Sequence, residues 1–175
     1  MYTKGDYIHH VTNGLCRVED VTTIEIDGVD KDRLYYRLWP VGSHGSTVFS
    51  PVEKAREKTR YAMTREEAET LIADMPSIKT LWITEERARE RQYKDALFSM
   101  SCRDWVKIIK TLYLRKQDRQ ARGQKITAMD EQYLRKTEDR LYEELSFALG
   151  KKKEDMESYI IEQIEGKEKR CTSED

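Results

Sequence analysis

The chain has 175 residues, of which 37% are charged and 38% hydrophobic, and its formal net charge is −1. This length allows one domain or two small ones, and the composition is typical of a soluble protein with modest cores and much helical surface. No stretch approaches the roughly 20 apolar residues of a membrane span, and the N-terminus lacks the apolar region of a signal peptide. The three cysteines form no CxxC pair, which argues against a zinc site or a disulfide framework and favours the cytoplasm.

The first fifty residues predict a small sheet of four or five short strands. The turn signals between the strands are Asn13-Gly14, Asp27-Gly28, Pro40 and Pro51. The segment 15–21 alternates apolar and polar residues, as a half-buried strand does, and 22–26 extends it. Short strands joined by tight turns are typical of a strongly bent sheet or an SH3-like barrel, whose exposed edges accept partner strands.

From about residue 64 the hydrophobic period becomes that of helices. The predicted N-caps are Thr64, Thr84, Ser101 and Thr127, and the predicted C-terminal stops are Gly123 and Gly150. Short loops between these helices favour antiparallel, bundle-like packing. The segment 166–175 lacks an apolar period and is predicted to be a flexible tail. The predicted domains are therefore a β-rich module at 1–60 and a helical domain at 61–165.

His9 and His10 form the most tempting catalytic pair, and His44 lies further along the chain. Adjacent residues of a strand point to opposite faces, so the pair cannot converge on one metal ion or substrate. The sequence has no P-loop, nucleophile elbow or HExxH motif. We therefore expect no enzymatic activity, no metal, no cofactor and no small-molecule substrate.

One predicted helix, Arg103 to Arg122, carries seven basic residues and two acidic ones. Its apolar face consists of Trp105, Ile108, Ile109 and Leu112, at the spacing of one buried stripe. Arg115 and Arg119 continue the same side, and Arg122 and Lys125 follow. This pattern indicates a phosphate-facing surface, with an ordinary salt-bridged surface as the alternative. Arg89 and Lys94 belong to a weaker basic cluster on the preceding helix, where acidic residues alternate with basic ones.

The three tryptophans have different predicted roles. Trp82 lies in a short connector between basic helices, where it would serve either as a wedge against a minor-groove base step or as a plug between two helices. Trp39 and Trp105 are predicted to lie in the core.

The order of these features resembles the CarD family. The residues that carry the resemblance are 4–8 (KGDYI), 13–19 (NGLCRVE), 49–51 (FSP), 91–94 (RQYK) and 108–116 (IIKTLYLRK). The resemblance covers about residues 3 to 150, and no single motif decides it. It implies an α+β fold, in which a small Tudor/SH3-like bent β-sheet is followed by an all-α helical domain.

The resemblance also implies a function, that of a non-enzymatic bacterial transcription regulator. Family members bind the RNA polymerase β subunit through the N-terminal module and hold promoter DNA through the helical domain, where a tryptophan wedge and basic residues stabilise the open complex. We expect a cytoplasmic, nucleoid-associated monomer. The expected polymerase-binding residues, at a sheet edge, are Arg37, Thr47, Val48 and Phe49. The expected sequence-independent DNA contacts are Trp82, Arg89, Lys94, Lys110, Arg115, Lys116, Arg119, Arg122 and Lys125.

The sequence departs from the family pattern at three positions. Arg89 occupies the position of the family's wedge tryptophan, Glu131 occupies that of a basic DNA contact, and Phe49 that of an arginine before the strand-ending proline. These departures motivate an alternative hypothesis, in which the chain is a protein-interaction adaptor of the same fold that has lost DNA binding.

Overall fold

We analysed a computed structural model, which describes residues 1–25, 30–42, 46–81 and 83–171 and, for 166–171, only the backbone. The chain divides into two compact units, Met1–Ala62 and Met63–Asp175. The predicted turn Asp27-Gly28, His44 and the predicted wedge Trp82 lie outside the described residues.

The N-terminal unit is an antiparallel sheet of five strands in the order β4-β3-β2-β1-β5. The strands are β1 (Tyr7–His10), β2 (Gly14–Thr22), β3 (Tyr35–Pro40), β4 (Val48–Pro51) and β5 (Thr59–Tyr61), and a one-turn helix, α1 (Ala55–Lys58), precedes β5. A register shift between Val18 and Asp20 interrupts the pairing of β2 with β3, and such a bulge bends a strand. The core of this unit is formed by Ile8, Cys16, Val18, Tyr36, Leu38 and Ala55. The predicted bent sheet is confirmed.

Three details of this unit differ from the prediction. β2 ends at Thr22, so the strand does not continue through 23–25. α1 was not predicted, because a single helical turn is too short to show a hydrophobic period. The prediction that Trp39 is a core residue is wrong, because its side chain is 41% exposed. Tyr36, Leu38 and Pro40 point inward, so the two-residue alternation of β3 turns Trp39 outward.

The second unit is helical, as predicted. Its helices are α2 (Arg65–Asp74), α3 (Glu86–Phe98), α4 (Cys102–Ala121), α5 (Ala128–Leu149) and α6 (Met156–Cys171), with short 3-10 turns at Met75–Ser77 and Lys153–Asp155. The predicted caps Thr64, Ser101 and Thr127 each accept a backbone N–H in the first turn. Thr84 is not a cap, because α3 begins at Glu86 with Glu85 as its N-cap. Gly150 ends α5 in the left-handed conformation, with φ +65°.

Two apolar clusters hold the helical unit together. The larger one joins α2, α4, α5 and α6 around Leu71, Trp105, Leu145 and Met156. The smaller one joins α3, α4 and α5 through Tyr93, Ile108, Leu112 and Leu134. Trp105, Ile108 and Leu112 lie on the predicted apolar face of α4, and Trp105 is fully buried as predicted. α6 extends past Gly166 to Cys171, into the segment predicted to be a tail. The flexibility of that segment stays a prediction.

Candidate functional site

An exposed aromatic strip lies at one edge of the sheet in the N-terminal unit. β4 is an edge strand, and within the described ranges no strand pairs with its outer side. Phe49 on β4 stands opposite Arg37 on β3 and is 44% exposed. Trp39 lies two residues beyond Arg37 on the same outward face, within diagonal reach of Phe49. An open strand edge beside two exposed aromatic rings is a surface suited to a partner segment.

The four residues predicted to bind polymerase surround this edge but do not all face the same way. Thr47 and Phe49 are exposed, whereas Val48 is half-buried and packs against the core of the unit. The Arg37 guanidinium lies 3.7 Å from the Asp20 carboxylate, and both side chains are partly exposed. The strip is therefore apolar at Trp39 and Phe49 and is bordered by a weak surface ion pair.

The two adjacent histidines of β1 are both buried. Nδ1 of His10 accepts hydrogen bonds from the backbone N–H groups of Thr12, at 3.2 Å, and Asn13, at 3.3 Å. His10 thus supports the tight turn between β1 and β2.

In the helical unit, two arginines of the predicted DNA surface point into the protein instead. Asp130, which is completely buried, accepts hydrogen bonds through Oδ2 from Nε and Nη2 of Arg115, both at 3.3 Å. Its other oxygen, Oδ1, lies 3.8 Å from Nε of Arg89, whose side chain is only 8% exposed. The Asp130 carboxylate therefore lies against the guanidinium groups of both Arg115 and Arg89.

The helix geometry explains this arrangement. Arg115 follows Leu112 on the buried stripe of α4, so its side chain is directed toward α5 and not into solvent. Asp130 sits in the first turn of α5, where the helix dipole favours a negative charge. Asp130 was not predicted as a site residue, because its partners lie on two other helices and no local sequence pattern relates them to it.

Lys110 also has an internal role. Its ammonium group donates to the backbone carbonyls of Met75 at 2.9 Å, Pro76 at 3.0 Å and Ile78 at 2.6 Å. These carbonyls follow the C-terminus of α2, where a lysine satisfies oxygens that the helix leaves without N–H partners. Lys110 is therefore tied to the chain that leaves α2.

The other predicted DNA contacts reach solvent. Lys94, Arg122 and Lys125 are exposed, and Lys116 and Arg119 are half-buried. Arg122 pairs with Asp118 one turn earlier, at 3.0 Å, and Nε of Arg119 donates to the carbonyl of Lys125 at 2.7 Å. The second contact anchors the loop that follows α4 beside the basic end of the helix. These five residues form what we call the exposed basic set.

Another buried acid lies outside the predicted sites. Glu144 on α5 is completely buried and accepts the backbone N–H of Met63 through Oε1, at 2.9 Å. Its Oε2 lies 3.6 Å from Sγ of Cys102, which donates to it. Glu144 thus links the start of the helical unit to α4 and α5. Sequence reasoning missed it because a Glu in a charged helix is normally read as part of the solvated face.

No helix in the described part of the chain is both long enough and apolar enough to cross a membrane. Residues 2–62 match a family model described as the CarD-like/TRCF RID domain. No curated protein matches the chain. The N-terminal unit thus matches a Tudor-like domain of a kind that is known to interact with the RNA polymerase β subunit. The resemblance noted in the sequence is confirmed for this unit.

Proposed function

We propose that this chain is a bacterial transcription regulator that binds the RNA polymerase β subunit through its N-terminal unit and acts in the cytoplasm. The observation that carries the proposal is the family match over residues 2–62, which coincides with a compact unit whose edge strand β4 is open. The proposal concerns binding and regulation, not catalysis.

The expected mode of binding is strand addition. A segment of the β subunit would extend the sheet at β4 through main-chain hydrogen bonds, which supply affinity with little dependence on sequence. Phe49 and Trp39 would supply specificity, because exposed aromatic side chains act as anchors in protein interfaces. Arg37 and Thr47 would border these anchors.

The test is binding of the full chain to the isolated β subunit, measured by calorimetry. Phe49→Ala and Trp39→Ala are each expected to weaken binding about tenfold or more, the range of interface anchors. Tyr61→Ala is the matched control, because Tyr61 is an exposed aromatic on β5, the opposite edge strand. Wild-type affinity in both edge variants would refute the binding mode, and failure of the wild-type chain to bind would refute the function.

A second part of the proposal concerns promoter DNA. The exposed basic set would hold the phosphate backbone without reading the bases and so change the stability of the open complex. Arg89, Lys110 and Arg115 contribute less than the sequence suggested, because their side chains already have partners within the protein. Trp82 stays a predicted wedge.

The adaptor that has lost DNA binding is the second candidate, and specific contacts favour it. Three of the predicted DNA-binding residues, Arg89, Lys110 and Arg115, contact oxygen atoms of the protein itself. Arg122 is paired with Asp118. Glu131, which replaces a basic contact of the family, lies in the first turn of α5. Polymerase binding is common to both candidates, so DNA binding alone distinguishes them.

Anisotropy with a labelled promoter duplex at several salt concentrations separates the candidates. If the DNA proposal holds, the triple variant Lys116→Gln, Arg122→Gln, Lys125→Gln binds DNA more weakly than the wild type. In a plot of log affinity against log salt concentration, the magnitude of its slope should fall by roughly one unit for each cation that no longer pairs with a phosphate. The control removes two exposed lysines of the same unit, Lys136→Gln and Lys152→Gln. Absence of DNA binding by the wild type favours the adaptor, and equal binding by the triple variant and the wild type would refute the role of these three cations. Open-complex lifetimes with wild type and Trp82→Ala then test the wedge.

A further inference from the structure

The buried ion cluster around Asp130 has more positive than negative charge. Asp130 provides one carboxylate, whereas Arg89 and Arg115 provide two guanidinium groups. Within the described residues, Nε of Arg89 and Oδ1 of Asp130 have no hydrogen-bond partner, because their separation of 3.8 Å exceeds hydrogen-bond length. Excess charge in a desolvated position is unfavourable unless an opposite charge compensates it. Among the described residues, the cluster therefore holds one more guanidinium group than carboxylate.

A cleft lies beside this cluster. It has a volume of about 310 Å³, at the lower end of the range for ligand pockets. The charged and phenolic side chains that line it are Arg89, Arg115, Arg122, Asp118 and Tyr93. The lining thus contains three guanidinium groups and one carboxylate, and that carboxylate is already paired with Arg122. Its polar groups and surplus positive charge favour a small anionic occupant.

Tyr93 supplies a second polar group, and no described residue forms a hydrogen bond with it. Its side chain is fully buried and lines the cleft, and its hydroxyl makes no hydrogen bond to any described residue. Burial, and secondarily the charge of Asp130, raises the pKa of Tyr93 to about 12. The hydroxyl is therefore protonated at neutral pH and can donate to an oxyanion.

We propose that this cleft binds the phosphate group of a small phosphorylated molecule no larger than a nucleotide. Arg89 and Arg115 compensate the phosphate charge, and the Tyr93 hydroxyl donates to one of its oxygens. Guanidinium groups suit this ligand because their donors match the geometry of phosphate oxygens. The proposal goes beyond the regulator proposed above, since it requires neither polymerase nor DNA. A backbone phosphate of DNA has the same chemistry, so the experiment separates the two sources.

The test uses the full chain and two probes, inorganic phosphate and adenosine monophosphate. Thermal unfolding is measured with each probe and with chloride at equal ionic strength, and affinities are measured by calorimetry. We expect both probes to stabilise the wild type more than chloride does. Arg89→Gln leaves one carboxylate facing one guanidinium, so we expect it to raise Kd at least about tenfold. Tyr93→Phe keeps the ring packing and is expected to raise Kd about tenfold.

The matched control is Arg135→Gln, which removes an exposed arginine of α5 whose side chain is 81% exposed. It is expected to respond to phosphate as the wild type does. No response of the wild type beyond chloride would overturn the proposal, and so would an undiminished response in folded Arg89→Gln and Tyr93→Phe. Folding of each variant is verified by its helical circular dichroism.

A labelled promoter duplex identifies the source of the phosphate. Competition between adenosine monophosphate and the duplex would support the site and show that it also accepts backbone phosphate. Probe binding in the absence of any DNA binding would support the site while refuting the DNA proposal. Loss of duplex binding in Arg89→Gln, with no response of the wild type to either free probe, would overturn the small-ligand site.

Discussion

Replacing Asp130 by Asn tests how strongly one buried carboxylate holds the helical unit together. Asn has nearly the same shape, so the packing is kept and the negative charge alone is removed. The guanidinium groups of Arg89 and Arg115 would then face each other with no anion between them. The helix dipole adds a smaller effect, because Asp130 lies in the first turn of α5.

The expected loss of stability follows from burial and geometry. Asp130 is completely buried, and the side chains of Arg89 and Arg115 are 8% and 24% exposed. Removing one partner of a buried ion pair costs about 3–5 kcal/mol, because an uncompensated charge stays in a poorly solvated place. Arg115 reaches some solvent, and the 3.3 Å hydrogen bonds are long for charged groups, so we expect about 3 kcal/mol. For a unit of this size the melting temperature would fall by roughly 10 °C.

The assay is urea unfolding followed by circular dichroism at the helical band. The matched control is Asp118→Asn, which removes a carboxylate that is 54% exposed and paired with Arg122 within one helix. Such surface pairs contribute about 0.5 kcal/mol. The double variant Asp130→Asn, Arg89→Met removes the surplus charge and should regain part of the loss. A free energy of unfolding for Asp130→Asn within about 1 kcal/mol of wild type would refute the reasoning.

Three further predictions concern the helical unit and are checked by thermal or urea unfolding. Burial, and secondarily the charge of Glu157, raises the pKa of Glu138, so folding favours its protonated form. Glu138→Gln should therefore stabilise the protein at pH 7, and the gain should vanish as the pH falls below the ordinary pKa of Glu; the exposed Glu162→Gln should show no such trend. Glu144→Ala should cost about 2–3 kcal/mol, because it leaves a cavity and removes a buried acceptor. Gly150→Ala should cost about 1 kcal/mol, since its positive φ, and not crowding, disfavours a side chain.

The sequence predicted those features of the fold that depend on neighbouring residues. The apolar stripe of α4 repeats every three or four residues, so this helix and its buried face were evident. Thr64 and Gly150 were recognised for the same reason, because a cap acts within one helical turn. Caps and apolar stripes can therefore be recognised from the residues that form them.

The features that depend on distant residues were not predictable in this way. Whether Trp39 faces the core depends on which alternate residues of β3 point inward. The sequence does not decide this, because β3 has aromatic residues at consecutive positions. Arg89 and Asp130 are 41 positions apart in the chain, and nothing local to either residue indicates the other. A basic residue on an amphipathic helix is predicted to lie at the surface unless a buried partner is known.

The internal contacts of the basic residues change what the charge of α4 implies about function. The sequence shows a positive stripe, but Lys110 and Arg115 hold the protein's own carbonyl and carboxylate oxygens. The part of the stripe left for DNA lies toward the C-terminal end of α4, where Asp118 partly neutralises it. DNA affinity should therefore be weak and strongly dependent on salt, and effective contact with a promoter would require recruitment by another partner. Binding of polymerase through the N-terminal unit would provide that recruitment, because it raises the local concentration of the helical unit near promoter DNA.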